Sequence, residues 1–213
     1  MKVVKGKLAI FDLDGTLYKT EEVSVPALKR SFSKFGIELT EEQILGQFGE
    51  PTEQIIKNLT PESKIHLKDE IEEEIAKNES ALIPSRGTLY QGVKEMLEEL
   101  DKMGYDLTIC SNGRDDYIRT VLKTTSIDEY FSAVKSYTDG KSKSDMIEEL
   151  LEEYSPKTAV MIGDRYHDIQ AAKEVGIPSI GAGYGYGGEE MRKADHVVSR
   201  ASEIPPLFEE KIS

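Results

Sequence analysis

Two aspartates one residue apart, Asp12 and Asp14, follow the apolar run "LAIF" and stand just before Gly15 and Thr16. Carboxylates placed straight after a buried strand can serve as a nucleophile, as a proton donor and acceptor, or as ligands to a hard cation. Three further polar clusters follow apolar runs: "SNG" at Ser111, the pair Lys141 and Lys143 beyond "SAVKS", and "GDRYHD" from Gly163, which carries Asp164 and Asp168. In an open parallel sheet, ligands bind beyond the carboxyl ends of the strands. A sheet built from these runs gathers Asp12, Asp14, Ser111, a lysine, Asp164 and Asp168 at one rim.

Such a set suits phosphoryl transfer. Asp12, emerging directly from the strand, is the candidate nucleophile and would carry an aspartyl phosphate. Asp14 is the candidate general acid and base. Crowded carboxylates repel a phosphate ester unless a hard cation neutralises them. Mg2+ suits the oxygen ligands on offer, which are the side chains of Asp12 and Asp164 and the backbone carbonyl of Asp14. Ser111 and the amides of Asn112 and Gly113 can hold phosphate oxygens at a helix start, and a lysine can offset the charge that grows in the transition state. Asp168, one helical turn after Asp164, can reach the same site as a water-mediated metal ligand or as the group that orients the lysine.

The elements that position these groups are legible from periodicity. From about Leu89 onward the strand-like runs "DLTIC", "SAVKS", "TAVMI", "PSIGA" and "DHVVS" alternate with helical patterns such as "VKEMLEELDKMG" and "SDMIEELLEEY". Together with "KLAIFD" they predict an α/β fold, a three-layer Rossmann-like parallel sheet with helices on its faces. The stretch from Tyr18 to Pro84 has no strand pattern. It places Pro26 at a helix start, with Val25, Leu28, Phe32 and Phe35 on one face, and it has a capping box "TEEQ" at Thr40. Ile65, Ile71 and Ile75 are spaced for a further helix. The expected organisation is a catalytic core of residues 1–17 plus 85–213, with a helical insertion, residues 18–84, above the carboxyl edge of the first strand.

Taken together over nearly the whole chain, "DLDGT" at Asp12, "SNG" at Ser111, a lysine in "GKSKSDMI" and "GDRYHDIQAAKEVG" at Gly163 resemble the haloacid dehalogenase-like hydrolase superfamily. The insertion after the first motif resembles the subgroup with a helical cap, which includes phosphoglycolate phosphatase-like enzymes. The resemblance implies a Mg2+-dependent phosphatase acting on a small phosphomonoester metabolite, with the cap closing over the site. A phosphosugar mutase uses the same acids and is the alternative. A dehalogenase needs neither a second acid at Asp14 nor a metal, and a noncatalytic scaffold should lack one of the acids. Two departures stand out. Ser144 follows Lys143 where many relatives have proline; Lys143, four residues before Ile147 as a helix begins, is the preferred lysine, with Lys141 its rival. The cap loop "FGEPTE" around Gly49 resembles the family's specificity loop, and Arg114, after the phosphate loop, is a second candidate to touch substrate.

Bulk properties narrow the rest. The 213 residues carry a net charge of -13, with 38% apolar and 31% charged residues. That charge argues against nucleic acid, and no apolar run approaches the roughly 20 residues of a membrane span. The apolar patch after the basic start is too short for a secretory signal, and Cys110 has no partner for a disulfide, so the cytoplasm is expected. Oligomeric state has no signature here. "DLDG" is not a calcium loop, because Leu17 and Val23 stand where glycine and glutamate are required. "GYGYGG", Gly183 to Gly188, has the spacing of a dinucleotide loop but too little chain after it, and reads as a tyrosine-bearing turn near the rim. His66, His167 and His196 lack metal-ligand spacing, Cys110 reads as a small buried hydrophobe, and Glu70 to Glu79 as the solvated side of a helix.

Overall fold

The computed structural model describes residues 6–138 and 140–210. The basic start, residues 1–5, lies outside them. The six parallel strands are β1 (Lys7–Phe11), β2 (Asp106–Ser111), β3 (Phe131–Ser136), β4 (Thr158–Gly163), β5 (Ser179–Ala182) and β6 (His196–Val198). They lie in the order β3-β2-β1-β4-β5-β6. Every connection between neighbours in this sheet is parallel, so each strand needs a crossover, and helices supply it.

Strand β1 shows why both faces are covered. Leu8 and Ile10 point into one cluster with Met146, Ile147 and Leu150, whereas Ala9 and Phe11 point into the other with Val93, Leu97, Ile118 and Val121. Successive side chains alternate faces, and all four are fully buried. The first cluster is roofed by α7 (Lys143–Tyr154) and α8 (Tyr166–Val175), and the second by α5 (Val93–Lys102), α6 (Asp115–Thr124) and α9 (Ile204–Glu210). Each such Leu, Ile or Phe contributes roughly 1.5–3 kcal/mol on burial.

Between β1 and α5, ahead of β2, run four more α-helices, α1 (Glu21–Lys34), α2 (Glu41–Leu45), α3 (Thr52–Leu59) and α4 (Lys68–Arg86). They have a core of their own, with Val25, Leu28, Phe32, Ile44, Ile56, Ile71 and Ile75 packed together. The capping box at Thr40 is present: its side chain accepts from the Gln43 amide at 3.2 Å, and the Gln43 side chain accepts from the Thr40 amide at 2.8 Å.

Three local expectations need correction. Pro26 does not start α1, which begins five residues earlier; the Thr20 hydroxyl that should cap it donates elsewhere, to Asp14. Ile65 lies in a short 3-10 turn before α4 and is exposed, because the helical period restarts at Lys68. The acidic face of α4 is not solvated throughout: Glu79 is buried against the rest of the molecule.

Candidate active site

The strand order reverses between β1 and β4, and the crevice at such a switch point is where ligands bind in open α/β sheets. Asp12 follows β1 directly and Asp164 follows β4, so the register that pairs Phe11 with Ile162 brings the two acids side by side. Asp168 comes in from the first turn of α8. One oxygen from each of these three buried aspartates lies within 4.8 Å of the others.

Lys143, the first residue of α7, enters this cluster. Its ammonium donates to Asp12 Oδ1 at 2.7 Å and pairs with Asp168 Oδ1. Lys141 turns away to Glu149. The second oxygen of Asp168 accepts the Arg165 amide at 2.9 Å at the start of α8, so both of its oxygens are engaged and it fixes the lysine in place.

Asp164 is gripped from two sides. Thr16 Oγ1 donates to Oδ1 at 3.3 Å, and the Tyr186 amide donates to Oδ2 at 2.7 Å. The glycines explain the closeness. A Cβ on Gly15, whose φ is +80°, would lie 2.3 Å from Asp164 Oδ2, and one on Gly187 would lie 2.0 Å from the Asp164 carbonyl oxygen. The "GYGYGG" segment is thus a turn pressed onto Asp164, and Tyr184 ties it back to the Thr16 carbonyl at 2.9 Å.

Asp14 stands apart from the lysine. Thr20 Oγ1 at 2.6 Å and Tyr117 OH at 2.7 Å both donate to its Oδ1, leaving Oδ2 outside these bonds. Neither residue has a local sequence signal. Thr20 looks like a helix cap and Tyr117 like a core aromatic of α6, and only the fold turns their hydroxyls inward.

Burial raises the pKa of Asp12, Asp14 and Asp164. For Asp12, burial pushes it well up and Asp168, Asp164 and Asp14 add to it against the opposing pull of Lys143. For Asp14, burial outweighs the hydrogen bonds from Thr20 and Tyr117. Asp164 is pushed up to about 7 by burial and by Asp168. Burial alone would lower the Lys143 ammonium, but Asp12 and Asp168 overcome it and hold the charge on. One cation among these clustered acids leaves an excess of negative charge with oxygen donors only, and that donor set fits a hard divalent cation.

Ser111 is buried, and its Oγ accepts the Gly113 amide at 3.1 Å. Asn112 crosses to the helical layer and donates to the Gly49 carbonyl at 2.8 Å. Arg165 likewise donates to the Phe48 carbonyl. Together these groups enclose a cavity of about 70 Å³, with Asp12, Asp14, Ser111, Gly113 and Lys143 on the sheet side and Leu28, Phe48, Ile55 and Ile75 on the helical side. Arg114 does not line it. It pairs with Glu79 at 3.1 Å and faces an adjacent groove. Glu79, which also accepts from Ser24 at 2.9 Å, lines the cavity instead. His167 borders the cavity beside Glu50, Cys110 is buried, and burial pushes the Cys110 thiol up to about 12.

A parallel sheet of order 3-2-1-4-5-6 with clustered acids at its carboxyl edge and a helical layer above defines a Rossmann-like protein with a helical insertion. Residues 9–182 match the model of the haloacid dehalogenase-like hydrolases, and the chain belongs to that family. It is 28% identical to a phosphoglycolate phosphatase of Agrobacterium fabrum, over 97% of this chain and 94% of that protein. It is 27% identical to a tyrosine-protein kinase, PtkA, of Mycobacterium tuberculosis, over 95% of this chain and 72% of that protein. The crystal structure of a predicted phosphoglycolate phosphatase from Haemophilus somnus superposes with a TM-score of 0.87 at 19% identity, covering 97% of this chain and 100% of that one, a likeness of fold. No described helix is long and apolar enough to cross a membrane.

Proposed function

We propose that this chain is a Mg2+-dependent phosphatase that hydrolyses a small phosphomonoester through an aspartyl phosphate on Asp12. The observation that carries the reading is the division of labour between the first two acids. Asp12 is held through Oδ1 by Lys143, which leaves Oδ2 to attack, while Asp14 is held through Oδ1 by two hydroxyls, which leaves Oδ2 for a proton. Burial raises the pKa of Asp14, the direction that favours a proton donor.

In the first step Asp12 Oδ2 forms a bond to phosphorus as the ester P–O bond breaks, and Asp14 passes its proton to the departing alkoxide. In the second, water attacks the aspartyl phosphate, Asp14 takes a proton from it, and the bond from phosphorus to Asp12 breaks to release inorganic phosphate. Lys143 and the amides around Ser111 and Asn112 steady the charge on the equatorial oxygens. Mg2+, when bound by Asp12, Asp164 and the Asp14 carbonyl, supplies the positive charge that lets a phosphate dianion approach these acids. Residues 18–84 act as a cap that excludes bulk water and selects the leaving group, and the bonds from Asn112 to Gly49 and from Arg165 to Phe48 hold it down. The glycine-rich turn carries no lysine for nucleotide phosphates, which favours hydrolysis over a nucleotide-dependent kinase. The cytoplasm is the proposed compartment, supported by the lone buried Cys110.

The test is release of inorganic phosphate from 4-nitrophenyl phosphate and from a phosphometabolite panel, with and without Mg2+. Mg2+-dependent release that Asp12→Asn abolishes is expected. Interconversion of sugar phosphates without release selects the mutase, and silence throughout overturns the enzyme reading.

A further inference from the structure

The cavity carries a charge pattern that bears on which ester fits. Among the described residues its acids are Asp12, Asp14 and Asp168 on the sheet side, with Glu50 and Glu79 facing them from the helical layer. The cations are Lys143 and Arg165, joined by His167. Each of these stands beside an acceptor, although Arg165 Nε and His167 Nδ1 have no hydrogen-bond partner among the described residues. Lys143 serves Asp12 and Asp168, Arg165 binds the Phe48 carbonyl and lies 3.6 Å from Glu190, and His167 lies 3.6 Å from Glu50.

The Arg114–Glu79 pair is oriented. Glu79 fronts the cavity, whereas Arg114 fronts the neighbouring groove, so a bound ester meets the acid end of the pair. The rest of the helical side is mostly apolar, with Leu28, Phe48, Ile55 and Ile75, and of its hydroxyls Thr20 donates to Asp14 and Ser24 to Glu79, which leaves Thr52. The phosphoryl half of a substrate has Lys143 and the proposed metal to meet it. The other half faces a lining in which carboxylates outnumber cations, with Glu79 at its roof.

From this we infer that the alcohol half of the substrate is short and uncharged or cationic, with a hydroxyl or ammonium donor directed at Glu79, and that esters with an anionic alcohol half are poor substrates. The inference rests on the phosphatase reading and deepens it. It also separates this chain from the activity for which its Agrobacterium relative is named.

Three esters of matched length isolate the charge: 2-phosphoglycolate, 2-hydroxyethyl phosphate and ethanolamine phosphate. With Mg2+ present, kcat/KM for the glycolate ester is expected to fall at least about tenfold below that of the other two, the effect of one like charge at close range in a partly dry site. Glu79→Gln, which removes the charge, narrows that gap. Because this change removes the buried partner of Arg114 and leaves it the exposed Asp116, Glu50→Gln at the more exposed mouth is the second variant, and it narrows the gap by a smaller factor. A glycolate ester cleaved as well as the others, or silence on all three beside cleavage of 4-nitrophenyl phosphate, overturns the inference. Silence on 4-nitrophenyl phosphate as well overturns the hydrolase reading beneath it.

Discussion

Asp14 differs from Asp12 only in what surrounds it, and that difference assigns a separate measurement to each. Asp14→Asn keeps the hydrogen bonds from Thr20 and Tyr117 within reach but removes the titrating oxygen. The expected loss in kcat is about 10²–10⁴-fold, read by phosphate release under saturating substrate. Asp164 carries a pH signature. Burial and Asp168 raise it to about 7 in the folded chain, against 3.8 for an unperturbed aspartate. The folded state therefore binds a proton that the unfolded state has lost, and stability without divalent ion falls as pH rises from about 4 to about 7. Thermal unfolding across that window should show the decline, and added Mg2+ should flatten it. Asp12, Asp14 and Asp164 could be singled out from sequence because acids straight after apolar runs are locally visible. Thr20 and Tyr117 could not, because their hydroxyls meet Asp14 through a turn and through a helix more than a hundred residues away.

Helix starts show the same division between local and distant causes. The Thr40 capping box is written in four consecutive residues, and Thr40→Ala should cost about 1 kcal/mol in urea unfolding while leaving phosphate release unchanged. Helix α1 could not be bounded in the same way. Its proline falls inside the helix, and the threonine before its first turn is engaged by Asp14. Glu79 is the sharpest case. In its own stretch it is one glutamate among many, and only the approach of Ser24 from α1 and Arg114 from the head of α6 makes it a buried, paired group. The central strands β1, β2 and β4 were readable because each is a largely apolar run buried on both faces, whereas the edge strands β3 and β6 are only partly buried and were placed by their alternation with helices.

At the scale of the molecule, the net charge of -13 opposes the arrival of a dianionic ester. For such an ester, kcat/KM at fixed Mg2+ should rise several-fold as ionic strength goes from about 10 to about 150 mM, because screening weakens long-range repulsion. A fall over that range would point to a local positive field strong enough to steer the ester inward. The four helices that form the roof enter the chain at one place, between the first two strands, and have their own apolar centre. If the proposed function holds, reagents for bond making and breaking reside almost wholly in one part of the polypeptide, and discrimination among esters in another. A chimera that received a relative's residues between Thr20 and Gly87 would adopt the donor's diet while keeping its own chemistry.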